Sequence, residues 1–237
     1  MDPELARYAA SRTTERGAAS YETKYERELH KRISDRVERR VIARALSLTG
    51  GPHARILDVP CGAGRLSGEL VPHSASHVIV EGDYSAAMLT RCAANARGYE
   101  PRLARLDALN LPFATRAFDL VFSVRISHHI ARAEDRERWL LELCRVSGRW
   151  VVATYFDSGS FKNLVRRAIA RKRPKNAMAR ARVEELAKTA GFRVVAAIPL
   201  SRLFSGHRYL VLERMMRQPP HPTSPPLRGG EENGRPR

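Results

Sequence analysis

The chain has few cysteines, few aromatic residues and no long apolar run, and each shortage removes a class of protein. Three cysteines in 237 residues, Cys61, Cys92 and Cys144, are an odd number with no Cys-x-x-Cys pair. That argues against a disulfide frame or a zinc site and for a reducing compartment. No apolar stretch approaches the roughly 18 residues a membrane-spanning helix needs. The first residues mix acids among small side chains and lack an apolar h-region, so no signal peptide is expected. Aromatics make up 7%, too few to suggest stacking platforms for RNA, and no RNA-binding motif is present. Acids are also in deficit, with 25 Asp and Glu against 42 Lys and Arg and a formal net charge of +17. Residues 157–216 carry +10 of that excess and residues 55–156 only +2. The middle of the chain is nearly neutral, and the charge gathers behind it.

What the middle contains is a strand, a tight glycine turn and the start of a helix. Ile56-Leu57-Asp58-Val59 is a short apolar run with one acid, followed by Pro60-Cys61-Gly62-Ala63-Gly64-Arg65. Leu66, Leu70 and Val71 then fall on a helical period, which predicts a helix near 65–71. This is the unit that opens a βαβ nucleoside or dinucleotide fold. Glycine allows the unusual φ/ψ of the turn and a close approach of ligand to backbone. The free N–H groups beyond it favour a negative ligand group.

The acids that follow are spaced as such a fold requires. A second apolar run ends at Glu81-Gly82-Asp83-Tyr84-Ser85, placing Asp83 19 residues past Gly64, about where a carboxylate accepts from a ribose diol. A third ends at Asp107-Ala108, and a fourth runs Phe118-Asp119-Leu120-Val121-Phe122-Ser123-Val124. Residues 55 to about 156 resemble the core of the class I S-adenosylmethionine-dependent methyltransferases, of the small-molecule type that includes the ubiquinone and menaquinone C-methyltransferases. Leu57 to Gly64 is similar to that family's Asp-x-Gly-x-Gly-x-Gly motif, Gly82 to Leu89 to its second, and Asp107-Ala108 and Phe118 to Val121 to its third and fourth. Pro60 replaces the first glycine, which stiffens the turn but leaves the N–H groups of Cys61 to Arg65 in place. Arg145-Val146-Ser147-Gly148-Arg149 is shorter than the family's usual Pro-Gly-Gly loop.

The resemblance implies an α/β, doubly wound, mostly parallel seven-stranded sheet with an antiparallel last strand. It implies S-adenosyl-L-methionine as cofactor, held by Asp58, Pro60, Cys61, Gly62, Gly64, Asp83, Tyr84, Asp107, Ala108 and Arg125. Strands are expected near 55–60, 77–82, 102–107, 118–124 and 149–156, with helices near 85–97, 133–146 and 179–190. Phe192 to Ile198 and His207 to Leu212 read as strands joined by a hairpin through Ser205-Gly206.

The ends and insertions complete the organisation. Residues 1–20 are expected to be flexible, and 217–237, rich in proline, to be disordered. Residues 21–216 form the domain. Within it 21–48 is a helical cap, from the stripe Leu29, Ile33, Val37, Val41, Ile42, Ala45 and Leu46. In relatives such a helix covers the cofactor, so Tyr21 and Tyr25 are substrate candidates. Residues 157–177 form a basic insertion, with Lys162, Arg166, Arg167, Arg171, Lys172, Arg173 and Lys175 among apolar residues at helical spacing. Such a helix reads as an anion, nucleic-acid or membrane-surface patch, or as a solvated face packed on the domain.

The expected activity is methyl transfer to a small-molecule or lipid-like acceptor, with an anionic acceptor suited to the insertion and peripheral membrane contact through 161–175. The expected location is cytoplasmic, including the inner membrane face. His128 and His129, just past the fourth strand, are the base candidates, and Tyr155 and Asp157 at the end of the fifth are in reach of an acceptor. Two other readings stand beside this one. An NAD(P)-dependent oxidoreductase would use Gly62-x-Gly64-x-x-Ser67 and Asp83, but Asp58 would repel a pyrophosphate. A nucleic-acid methyltransferase or binding module would use the basic segment, and the scarcity of aromatics disfavours it. No residue cluster reads as a metal site.

Overall fold

A computed structural model describes residues 29–170 and 176–215. Seven strands form one sheet: β1 (Ile56–Asp58), β2 (Val78–Asp83), β3 (Glu100–Arg105), β4 (Phe118–Ser123), β5 (Ser147–Phe156), β6 (Phe192–Pro199) and β7 (His207–Arg214). Their order is β3-β2-β1-β4-β5-β7-β6. The first five pair in parallel, and β7 lies antiparallel between β5 and β6. The order reverses at β1, between β2 and β4, and the crevice beyond that switch point is where an open α/β sheet takes its ligand.

Five α-helices flank the sheet among the described residues: α1 (Leu29–Ser47), α2 (Ala86–Asn95), α3 (Ala133–Val146), α4 (Phe161–Ala170) and α5 (Arg180–Thr189). Alternation along the strands divides the core. On one face Leu57, Val121, Val151 and Leu210 pack with Trp139, Leu143, Val183 and Leu186 of α3 and α5. On the other, Ile56, Leu120, Val152 and Tyr209 pack with Ile42, Ala45 and Leu46 of α1. Burying the side chains of one such stripe contributes roughly 1.5–3 kcal/mol per large apolar residue.

Three expectations shift. The helix expected at 65–71 is a 3₁₀ segment, Ser67–His73. Gly68 weakens an α-helix, Pro72 lacks the N–H to continue one, and the Ser67 hydroxyl is drawn to Asp58. Second, no loop separates α3 from β5, since the helix ends at Val146 and the strand begins at Ser147. Gly148 allows the close fit, because a Cβ there would sit 3.2 Å from the Phe118 carbonyl oxygen. Third, Ile33 and Val37 of the α1 stripe are exposed, whereas Ile42, Ala45 and Leu46 are fully buried. The strands otherwise fall within a few residues of expectation, β1 being the shortest. Residues 1–20, the first residues of the expected cap and the tail 217–237 lie outside the described residues.

Candidate functional site

The turn after β1 is tied to its neighbours by backbone groups. Val59 N–H donates to the Phe122 carbonyl (2.9 Å), Cys61 N–H to the Gly82 carbonyl (2.9 Å) and Gly64 N–H to the Cys61 carbonyl (3.1 Å). Gly62 and Gly64 both take positive φ, 57° and 77°, which L side chains rarely adopt. Their surroundings differ. A Cβ on Gly64 would lie 3.1 Å from the Cys92 sulfur of α2, so that glycine serves packing. A Cβ on Gly62 would meet no protein atom within 4 Å. Gly62 therefore borders open space, the cradle a ligand would fill.

Asp83, at the end of β2, faces the same turn. Its Oδ2 accepts from Gly62 N–H (3.0 Å) and its Oδ1 from Ser85 N–H (2.8 Å). The carboxylate thus stands beside the Gly62 turn, where it would meet a ribose diol. Ser85 caps α2 by accepting from Met88 N–H. Tyr84 projects beside it, 38% exposed, with the Arg105 guanidinium 5.9 Å from its ring centre. An exposed ring at this rim can stack on a base. Asp107 follows β3, accepting from Leu109 N–H (2.9 Å), with Ala108 buried beside it. Cradle, carboxylate and ring fit an adenosyl group carrying an amino acid.

Asp58 is placed differently from its expected position at the mouth of the turn. It is 2% exposed, accepts from the Ser67 hydroxyl (3.1 Å), and stands in register with buried Glu81 on β2. Burial, then the Glu81 charge, pushes its carboxyl well above the usual range. Buried against Ser67 and Glu81, Asp58 is withdrawn from the mouth of the turn, so that argument against a dinucleotide falls away. Cys61 is buried against Leu89 and Cys92. The Cys92 thiol beside it and burial push its own thiol up, which suits packing rather than reactivity.

Pro60 follows Val59 through a cis peptide bond, and the Arg125 side chain reaches toward α1. Its Nε and Nη2 donate to the two carboxylate oxygens of Glu38 (2.6 and 3.0 Å), and its backbone N–H to the Thr154 hydroxyl (2.7 Å). Glu38 is fully buried and also accepts from Arg65 (3.0 Å) and the Tyr209 hydroxyl (2.5 Å). Burial opposes its charge, but the Arg125 and Arg65 guanidiniums hold its carboxyl down at about 2. This one side chain fastens α1 to the residues after β1 and β4. Its signal lies in the sequence: Glu38 falls on the same helical stripe as Ile42, Ala45 and Leu46.

Past β4, Ser127–His129 forms a 3₁₀ turn. The His128 ring lies 4.0 Å from the His129 ring and 4.8 Å from that of His207, at the start of β7; His207 in turn lies 5.2 Å from Phe156. Burial and the neighbouring cations push His128 down to about 2 and His207 to about 4. Both imidazoles are neutral near pH 7, and the Nδ1 of each is buried with no partner among the described residues. Sequence reasoning missed His207, which reaches the site only because β7 returns antiparallel beside β5 and sets His207 opposite Phe156.

Tyr155 and Asp157 are not brought to this cluster. Tyr155 is 2% exposed and packs in the α3–α5 core. Asp157 is 3% exposed, with Oδ1 accepting from Gly159 N–H (2.8 Å) and Oδ2 from Arg208 (2.5 Å). It closes the base of the insertion instead of facing an acceptor. Tyr21 and Tyr25 lie outside the described residues. One metal-like grouping occurs among the described residues, Cys61, Glu81 and Cys92, all buried.

Residues 56–148 match the family model described as a methyltransferase domain. The chain is 39% identical over 106 residues to a demethylmenaquinone methyltransferase of Thermus thermophilus, covering 43% of this chain and 47% of that one. It is 34% identical over 95 residues to a probable tRNA methyltransferase 9B of Bos taurus, covering 40% and 19%. The chain thus spans about half, or less, of the length of the curated relatives it matches. Among solved structures, the magnesium protoporphyrin IX methyltransferase of Synechocystis with bound S-adenosylhomocysteine superposes with a TM-score of 0.71 at 15% identity. The match covers 89% of this chain and 100% of that one, a likeness of fold.

Proposed function

We propose that this chain, whose core belongs to the class I S-adenosylmethionine-dependent methyltransferase family, methylates a small-molecule or lipid-like acceptor bearing a negative group. The observation that carries the methyl-donor half is the open cradle at Gly62 beside the Asp83 carboxylate, within the matched segment 56–148. S-adenosylmethionine supplies an electrophilic methyl group when bound. Gly62 would let it approach the backbone, Asp83 would accept from its ribose, and Tyr84 and Asp107 would hold the adenine end. Proximity and exclusion of water supply most of the acceleration in such a transfer. A hydroxyl or amine acceptor would release its proton to His129 rather than to His128, whose ring, held down at about 2, takes up a proton poorly.

The acceptor half rests on α4, which follows β5 at the crevice end of the sheet. Phe161, Leu164 and Ile169 are 55%, 49% and 80% exposed, and Lys162, Arg166 and Arg167 stand among them. Cations interleaved with exposed apolar residues suit an acceptor with an anionic head and a greasy body, and peripheral contact through 161–175 with the inner membrane face. Residues 171–175 of that stretch lie outside the described residues. No described helix is long and apolar enough to cross a membrane, and the proposed enzyme works from the cytoplasm.

Calorimetry with S-adenosylmethionine, S-adenosylhomocysteine and NADH in parallel tests the donor. Binding of the first two is expected, and binding of NADH alone would overturn the reading. The relative with a tRNA name keeps an RNA acceptor as the second reading. RNA binding would show a steep salt slope and no preference for apolar acceptors.

A further inference from the structure

A groove of about 430 Å³ opens between α1 and the end of β6, separate from the cofactor turn. Its floor is apolar, from Val41, Ile198 and Leu200, and three arginines stand around it, Arg40, Arg44 and Arg202. None of the three guanidiniums has a hydrogen bond or ion pair among the described residues, and no acid lines the groove. The neighbouring arginine of α1 is held by acids instead. Arg39 is paired with Asp35 and Glu69, and Asp35 also holds Arg65. Three cations without counter-charges among the described residues thus gather around one apolar floor.

What lies next to the groove fixes the kind of ligand. β6 is antiparallel to β7, which is antiparallel to β5, so β6 ends at the same edge of the sheet as β5. The chain leaves the groove at Arg202 and at once presents Leu203 and Phe204, 54% and 81% exposed. It then returns at Gly206 against α4, where a Cβ would lie 3.0 Å from Asn163 Nδ2. Groove, apolar tip and basic amphipathic helix are thus consecutive along one rim.

We infer that this groove takes the phosphate headgroups of an anionic phospholipid bilayer, with Leu203 and Phe204 entering the acyl layer beside it. Arginine's planar donors suit phosphate oxygens. The apolar floor accommodates the glycerol end of the chains, and exposed aromatic and aliphatic tips gain by leaving water only where a bilayer receives them. An acidic protein would satisfy the arginines but gives no reason for an 81%-exposed phenylalanine next to them. The inference rests on the membrane contact proposed for α4 and assigns headgroup recognition to a different element.

Sedimentation of the full chain with phosphatidylcholine vesicles, with and without about a quarter phosphatidylglycerol, tests it. Binding to the anionic vesicles alone is expected. Arg40→Gln/Arg44→Gln/Arg202→Gln should weaken it on the order of 100-fold, at about fivefold per cation near an anionic surface. Phe204→Ser should weaken it severalfold with charge unchanged, and both variants should bind S-adenosylhomocysteine as the parent does. Four results would overturn it: undiminished binding by the triple variant, loss only in Arg166→Gln/Arg167→Gln, indifference to Phe204→Ser, or equal occupancy by soluble glycerophosphate. Vesicle binding without any S-adenosylhomocysteine binding would overturn the methyl-transfer reading and leave the groove standing.

Discussion

Asp58 and Glu81 face one another in register on adjacent parallel strands, both buried, and each keeps one carboxyl oxygen with no partner among the described residues. Glu81 spends its other oxygen on the Tyr99 hydroxyl (2.8 Å) and Asp58 its other on Ser67. Two like charges cannot both be held this way, so the pair retains a proton that the unfolded chain would release. Both carboxyls are raised, chiefly by burial. Their contribution to stability is complete below the unfolded carboxylate range and is lost as pH rises through the folded value. Asp58→Asn keeps a donor toward Glu81 without the titration. Its melting temperature should exceed the parent's above neutrality, by the equivalent of about 1–3 kcal/mol, and the gap should close near pH 4. A constant difference across that range would sink the shared-proton account.

Asp83 has two tasks, which two substitutions separate. Asp83→Ala removes the ribose acceptor and frees the Gly62 N–H, and should weaken S-adenosylhomocysteine binding about 10- to 150-fold while the fold survives. Asp83→Asn retains one acceptor oxygen and should lose less. Calorimetry that finds Asp83→Ala unchanged would remove the ribose assignment.

Gly62→Val should abolish cofactor binding, because the branched side chain enters the open cradle and the residue is forced from positive φ. Gly64→Ala should instead cost stability through the Cys92 contact, with cofactor affinity in the surviving fold near that of the parent. Circular dichroism alongside binding distinguishes the two. A folded Gly62→Val protein with normal affinity would show that the glycine serves only the turn.

Glu38→Gln leaves the Arg125 and Arg65 guanidiniums without their buried counter-charge and should destabilise the chain by roughly 3–5 kcal/mol. The parent's own Glu38 contribution is present above the unfolded carboxylate range and is lost as pH falls toward about 2. Thermal unfolding between pH 3 and 7 should therefore show the parent approaching the variant at the acid end. If the two stay parallel, the cluster is not what ties α1 down.

If His129 accepts the acceptor's proton, His129→Asn should lower turnover by about 10²–10⁴-fold with S-adenosylhomocysteine affinity unchanged, and His128→Asn far less, since the His128 ring takes up a proton poorly. Because burial holds the His128 ring neutral down to about pH 2, no loss of rate from protonation of His128 is expected between pH 5 and 8. An equal loss of affinity and turnover in His129→Asn would make His129 a packing residue.

Periodicity made the strand–turn–helix alternation legible, because each strand of the parallel core carries its own apolar run. Interactions made across the chain were harder to read. The 3₁₀ segment Ser67–His73 is apolar at helical spacing, and only Gly68 and Pro72 warned against an α-helix. Arg125 sits at the right place after β4, yet its partner lies 87 residues earlier on α1. Asp58 belongs to the motif by sequence, but its environment comes from Glu81, whose position depends on β1–β2 register. The sequence marked 157–177 as basic, whereas Asp157's engagement with Arg208 emerges only when β7 is laid beside β5.

The placement of β7 between β5 and β6 has a consequence for synthesis. β6 leaves the ribosome before β7 but cannot join the sheet until β7 is present to bridge it to β5. Tyr209, which closes the Glu38 cluster from 171 residues away, lies on that same late strand. A nascent chain ending before residue 207 therefore holds a five-stranded sheet with an open β5 edge and an unfinished charge cluster beneath α1. Such an edge is the kind that chaperones shield and that pairs wrongly with other chains. Premature termination between residues 200 and 207 should thus yield aggregated product, whereas release after residue 215 should yield soluble protein.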